Sequence, residues 1–139
     1  MEHVAGRTVS ALLLDTCAVV WAILDPSRLS PRAVSAMEDP QAVIHLLPVS
    51  VAEVACAVER GRLELNEHWK IWLRRHVQTN GWRYLPIDAA VVEEAYSLPP
   101  PFHDDPADRL FVAAARVKQL SMVTGDAKIL AYPHVLTVW

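Results

Sequence analysis

The run P-P-P-F-H-D-D-P-A-D-R-L-F-V-A-A-A-R-V-K, Pro99 to Lys118, carries both a helix start and a cluster of charge. Three prolines stiffen the approach, and Asp104, Asp105 and Asp108 follow in quick succession. Pro106 fits the first helical position, where a missing N–H costs nothing, which makes Asp105 the N-cap and puts Asp108 two residues inside the helix start. The helix macrodipole and the free backbone N–H groups favour acids there. The helix then turns almost wholly apolar, with Leu110, Phe111, Val112, Ala113, Ala114, Ala115 and Val117. Such a helix is expected to lie deep against a core. Capping explains one acid well and the cluster less well. Carboxylates at the mouth of a buried helix need a counter-charge, so they are candidates for a metal site.

Working outward, strands and helices alternate. Ser10 to Leu14 reads as a buried strand ending at Asp15, followed by a helix over Thr16 to Leu24 that Asp25-Pro26 stops. Ser30-Pro31 opens a second helix to about Glu38. Ala42 to Leu47 reads as a strand covered on both faces. A helix follows with Ser50 as its start and Gly61 as its end. An amphipathic helix over Glu67 to Thr79 comes next, then a short strand over Trp82 to Pro86 and a helix from the Asp88 cap through about Ser97. Beyond the central helix, Leu120 to Thr124 is a strand, Ala127 to Ala131 a helical turn and Val135 to Val138 a last strand. This order predicts an α/β fold with a mainly parallel sheet, in one domain over residues 1–139.

The composition suits a globular chain: 139 residues, 53% apolar and 21% charged. No apolar run approaches the roughly 18–20 residues of a membrane span. Residues 1–10 carry Glu2 and Arg7 and show no leader pattern. Cys17 and Cys56 sit among apolar neighbours and are expected to be reduced packing residues, consistent with a cytoplasmic protein. The net charge of −3 does not suggest a nucleic-acid binder. Its distribution is uneven: Arg60 to Arg83 holds six basic residues against Glu64 and Glu67. A basic middle beside acidic clusters suits a polyanion over a cation-filled site; a solvated helix face is the plainer reading and the favoured one.

The remaining acids fall into place on these elements. Asp15 follows the first strand, Glu53 lies three residues beyond Ser50, and Asp126 stands just past the strand Leu120–Thr124. In a parallel sheet all strands end on one edge, and ligands bind there. Each acid has a structural alternative. Ser50-x-x-Glu53 matches a capping box, and Asp126 suits a turn or cap. Asp15 is hardest to dismiss, since no helix pattern demands it. Taken together, acids converging on one sheet edge favour function. Clustered carboxylates repel one another unless cations bind. Hard oxygen ligands suit Mg²⁺ or Mn²⁺ rather than zinc. Such ions promote phosphodiester hydrolysis.

The motifs L-L-L-D-T-C-A-V-V-W-A-I-L, R-L-S-P-R-A, S-V-A-E-V-A-C-A-V-E-R-G-R-L-E-L, H-D-D-P-A-D-R-L-F-V-A-A-A and V-T-G-D-A-K-I-L occur in this order across nearly the whole chain. Together they resemble the PIN-domain family, and within it the VapC-like toxins of type II toxin–antitoxin modules. The resemblance implies a three-layer α/β/α sandwich and a Mg²⁺- or Mn²⁺-dependent endoribonuclease. Its acidic quartet would be Asp15, Glu53, Asp108 and Asp126, with Asp105 assisting through a water. Thr16, Ser50 and Thr124 match the small polar positions beside those acids. The resemblance also implies a homodimer and a cognate antitoxin that covers the site.

Two positions depart from the family pattern: Cys17 stands where close relatives often have His, and Ala107 replaces a bulky aromatic. Arg109 is expected to balance Asp105 and Asp108 rather than bind substrate phosphate, His103 to be a surface residue, and Trp21, Trp69 and Trp72 to anchor core or interface. Rival readings are a non-catalytic binding module, a phosphotransfer domain and an RNA-processing nuclease outside any toxin–antitoxin module. The complete acid set speaks against the first. Thr16 and Cys17, where phosphotransfer folds need acids, speak against the second.

Overall fold

Leu12, Leu13 and Leu14 are each at most 2% exposed, the signature of a strand covered on both faces. They belong to β3, Ala11–Leu14, the centre of the sheet. The computed structural model describes residues 10–139 and, ahead of them, the backbone of two short antiparallel strands, His3–Val4 (β1) and Arg7–Thr8 (β2). The rest of segment 1–9, where no leader is expected, lies outside the described residues.

From β3 the chain passes through α1 (Thr16–Leu24), a 3-10 turn (Pro26–Arg28) and α2 (Pro31–Glu38) to β4 (Val43–Leu46). Helices α3 (Val49–Glu59) and α4 (Trp69–Asn80) lead to β5 (Arg83–Tyr84). After α5 (Ala89–Ala95) and α6 (Pro106–Lys118) come β6 (Ser121–Val123), α7 (Ala127–Leu130) and β7 (Thr137–Val138). The main sheet runs β5-β4-β3-β6-β7 with every neighbouring pair parallel. Leu12 sits between Ile44 and Ser121 in this register. Strand order therefore reverses at β3, with β4 and β5 to one side and β6 and β7 to the other. This is the position where open α/β sheets form their ligand crevice.

The two faces of the sheet build two cores, as period-two alternation requires. Leu13 and Met122 face α5, α6 and α7, packing with Val91, Phe111 and Ile129. Leu12, Leu14 and Val123 face α1 to α4, packing with Val19, Val54 and Trp72. The result is the expected three-layer arrangement. As expected too, α6 lies deep: Phe111 to Ala115 are no more than 2% exposed. Its three alanines bring the backbone close to the sheet and α5.

Several local expectations change. Pro48 is already in the right-handed helical region, so α3 begins at Val49 and Ser50 lies inside it, fully buried, with no capping box formed. In β4, Leu46 is fully buried while Val43, Ile44 and His45 are only partly covered, because short β5 shelters this side of the sheet incompletely. Cys17 and Cys56 are free and exposed rather than packing residues. Cys56 lies two positions from buried Val54 on α3, a step of about 200° that turns it outward. Trp72 is a core residue, whereas Trp21 and Trp69 are half-buried.

Helix α3 ends in a Schellman arrangement. Gly61, at φ +70°, occupies the left-handed position; its N–H donates to Val58 O at 3.1 Å and the Arg62 N–H to Ala57 O at 2.9 Å. The reversal folds Arg62 and Leu63 back along the helix.

Phe111 is the largest fully buried side chain and lies on the helix that carries Asp108. Phe111→Ala is expected to lower the unfolding free energy by about 3–5 kcal/mol. Val117→Ala, at a 37% exposed position of the same helix, should stay within about 0.5 kcal/mol. Urea unfolding of both variants measures the contrast.

Candidate active site

Five carboxylates line one cavity of about 620 Å³: Asp15, Glu53, Asp108 and Asp126, from four different elements at the carboxyl edge of the sheet, and Asp25, the C-cap of α1. Each is held by its own local structure. Asp15 follows β3 and caps α1, with Oδ1 accepting from the Ala18 N–H at 2.8 Å. Its Oδ2 accepts from the Thr124 hydroxyl at 2.5 Å. Thr124 is fully buried, and its oxygen in turn accepts the Asp126 N–H at 3.0 Å. One side chain therefore ties together the ends of β3 and β6. Asp126 caps α7, with Oδ1 accepting from the Lys128 N–H at 2.8 Å and the Ile129 N–H at 3.4 Å.

On the other side of the switch point, Thr16 and Ser50 join α1 to α3. Their hydroxyl oxygens are 2.9 Å apart. The Thr16 hydroxyl donates to Glu53 Oε1, so its single proton is committed there and Ser50 must donate to Thr16. Glu53 is thus placed by a threonine from another helix, not by a capping box. Asp105 caps α6 through the Asp108 N–H at 3.0 Å, and Asp108 Oδ2 lies 2.6 Å from His103 Nε2.

The family model described as the PIN domain matches residues 12–135. The chain belongs to the PIN-domain family. Ribonuclease VapC22 of Mycobacterium tuberculosis is 32% identical over 136 residues, spanning 94% of this chain and 100% of the relative. Among solved structures, VapBC2 from Rickettsia felis, bound to a DNA fragment from its promoter, matches with a TM-score of 0.66 at 14% identity, over 91% of this chain and 96% of that one. FitAcB from Neisseria gonorrhoeae matches with a TM-score of 0.58 at 25% identity, over 91% and 95%.

Burial dominates the electrostatics of this PIN domain. The Asp15 carboxyl is pushed from the ordinary 3.8 up to about 6, first by desolvation and further by the charges of Asp108 and Asp126, despite the bonds from Thr124 and Ala18. Glu53 is raised by burial and by Asp108 and Asp105, with the Thr16 bond acting against the rise. Asp108 is raised by burial, Asp105 and Asp126, with His103 opposing. Cys17 lines the same cavity, and burial together with Asp15 and Glu53 raises its thiol, so it stays protonated and weakly nucleophilic.

Two expected helpers stand elsewhere. Asp105 is exposed and off the cavity wall; it acts on the site as the cap of α6 and as a charge felt by Asp108 and Glu53. Arg109 does not balance Asp105 and Asp108. Its guanidinium turns the other way, donating to Ala95 O at 2.9 Å and Phe102 O at 3.2 Å and reaching Asp104 at 3.6 Å. A side chain one position after Asp108 leaves the helix about 100° away from it, which aims Arg109 at the end of α5. Conversely, His103 is no idle surface residue but the partner of Asp108. The signal was its place five residues before Asp108 in H-D-D-P-A-D-R. Trp21, Arg28 and Arg62 also line the cavity. Of these, only Arg62 lay in the basic stretch. The plainer reading holds at Arg75, which pairs with Glu67 on exposed surface.

The donor set decides which ion fits. The carboxylates supply hard oxygens, which match Mg²⁺ or Mn²⁺. Among the described residues no three His, Cys, Asp or Glu side chains are drawn into a cage as they stand. Threonine, histidine and backbone partners instead each hold one carboxylate oxygen.

An acid whose pKa is higher folded than unfolded keeps its proton longer in the native state. For Asp15 stability therefore falls as pH rises from about 4 to about 6, and the full cost, roughly 3 kcal/mol, persists above that. Glu53 and Asp108 act in the same direction. In EDTA, Asp15→Asn is expected to stabilise the protein by about 1–3 kcal/mol at pH 7–8, the gain vanishing below about pH 4. Denaturant titrations of both proteins across that range provide the check; equal stability at pH 8 contradicts the costly buried charge.

Proposed function

We propose that this chain is a divalent-metal-dependent endoribonuclease and the toxin of a type II toxin–antitoxin pair. The observation that carries this reading is the convergence of Asp15, Glu53, Asp108 and Asp126 on one cavity at the switch point of the sheet. Membership of the PIN-domain family and the likeness to Ribonuclease VapC22 support it. The motif resemblance to VapC-like toxins supports a protein antitoxin as partner, and the fold is like that of VapBC2 and FitAcB. No helix among the described residues is long and apolar enough to cross a membrane. We read residues 1–139 as one domain, acting in the cytoplasm as a homodimer.

Asp15, Asp108 and Asp126 would hold Mg²⁺ or Mn²⁺, with Glu53 completing the set. When bound, the ion supplies charge against the carboxylates' repulsion and Lewis acidity toward a phosphoryl oxygen. Thr124 keeps the Asp15 and Asp126 segments in register, and Thr16 holds Glu53 by one oxygen. Glu53, with Oε1 held by the Thr16 hydroxyl, presents its other oxygen to take a proton from the water that attacks phosphorus. Phosphorus gains the water oxygen, the bond to the leaving ribose oxygen breaks, and that oxygen takes up a proton. Asp105 and His103 fix Asp108 from its backbone and side-chain ends.

Partner-free protein is expected to cut members of a panel of tRNA, rRNA fragments and mRNA at discrete sites with Mg²⁺ or Mn²⁺. Cutting should stop in EDTA and fall by about 100-fold or more in Asp15→Asn. Thr124→Val, which removes only the bridge, should lower the rate by about 10- to 100-fold. Metal-loaded, folded protein that cuts no RNA sinks the nuclease reading. A nuclease whose expression leaves growth unaffected, with no small partner reading frame beside its gene, is an RNA-processing enzyme instead.

A further inference from the structure

We propose that Arg28 and Arg62 form a phosphate subsite for single-stranded RNA on the wall of the cavity that holds the carboxylates, gripping the backbone beside the scissile bond. The inference rests on the nuclease reading above and extends it to substrate placement. Helices α1 and α3 each lay one face on the cavity: Thr16, Cys17, Val20, Trp21 and Leu24 from the first, Glu53, Val54 and Ala57 from the second. Both helices follow parallel neighbouring strands and start at the same sheet edge. Asp15 caps the start of α1 and Glu53 lies midway along α3; each helix is followed by an arginine past its C-terminal end, and Asp25, the C-cap of α1, lines the cavity as well.

Local structure aims both arginines at this groove. The 3-10 turn brings the Arg28 guanidinium over the Trp21 ring, 4.6 Å from its centroid. Trp21 is also backed by Trp139, with ring centroids 6.0 Å apart. The indole is thus occupied as a platform for Arg28 and is not a stacking surface for a base. Arg62 is folded back by the Gly61 reversal. Both arginines are exposed, and among the described residues neither forms an ion pair. Unpaired guanidiniums that line a cavity suit bidentate phosphate recognition. Packed helices have axes about 8–10 Å apart. A groove between them takes one splayed strand rather than a duplex.

The test is binding of a short fluorescein-labelled single-stranded RNA of mixed sequence in EDTA, followed by anisotropy over a KCl series. For single strands each neutralised phosphate contributes about 0.7 to the slope of log K against log salt. Arg28→Gln and Arg62→Gln should each flatten the slope by about that amount and weaken binding, and the double variant by about 1.4. Arg28→Lys and Arg62→Lys should keep the slope, and Arg83→Gln, on β5 outside the cavity, should match wild type. Unchanged thermal melting and Mn²⁺ binding of the double variant exclude a folding defect. If wild type cuts RNA with metal but the double variant keeps the wild-type slope, the subsite is wrong and the nuclease stands. Weaker binding with an unchanged slope also overturns the subsite. Wild type that neither binds nor cuts overturns both.

Discussion

The hydroxyl of Thr124 is the hinge on which the site depends. It is buried, it donates to Asp15 and accepts from the Asp126 backbone, and it thereby joins two strand ends far apart in sequence. Around it the sheet changes direction; Asp15 and Asp126 cap helices at that edge, and Glu53 and Asp108 reach the cavity from inside α3 and α6. Thr16 repeats the device between α1 and α3. Neutral hydroxyls suit this work. They satisfy one carboxylate oxygen each without neutralising its charge, so the remaining lone pairs stay available.

Such an arrangement sets stability against chemistry. Crowded, half-buried carboxylates hold their protons more tightly than free ones, so their ionised forms weaken the fold. A packed helix such as α6, with five consecutive residues almost wholly buried, makes that cost bearable. Gly125 shows how little room is left nearby: a Cβ there would stand 2.7 Å from the Trp139 ring. The turn between Thr124 and Asp126 can approach the indole only because that position has no side chain.

Most of the architecture was legible in the sequence because periodicity and punctuation agreed. The L-L-L run, the Ser30-Pro31 start, the Asp88 cap and the Asp105-Pro106 start each name an element that the structure contains. Asp15, Asp108 and Asp126 were legible because each sits just after a strand or at a helix start, positions that parallel sheets gather, whereas Glu53 lies one turn inside α3. What failed was direction. Whether Arg109 faces Asp108 or the end of α5 depends on a 100° step around a helix. Whether Ser50 caps or joins α3 depends on one proline's backbone angles. His103, Arg28 and Arg62 carry no periodic signal, and their roles arise from turns that fold them back onto distant neighbours. The exposure of Cys17 likewise reflects the cavity itself, which no local pattern describes.

Asp15 and Thr124 are 109 positions apart, and the strand that leads to Thr124 is the sixth in chain order. During synthesis the first carboxylate leaves the ribosome long before its partners exist. Folding proceeds from the N-terminus, yet β3 lacks β6 until residues 121–123 have emerged, and long-range pairing of this kind is slow. A growing or truncated chain therefore holds Asp15 and Glu53 without the helix starts that complete them. The topology itself delays assembly of the cavity until Asp126 has joined the growing polypeptide.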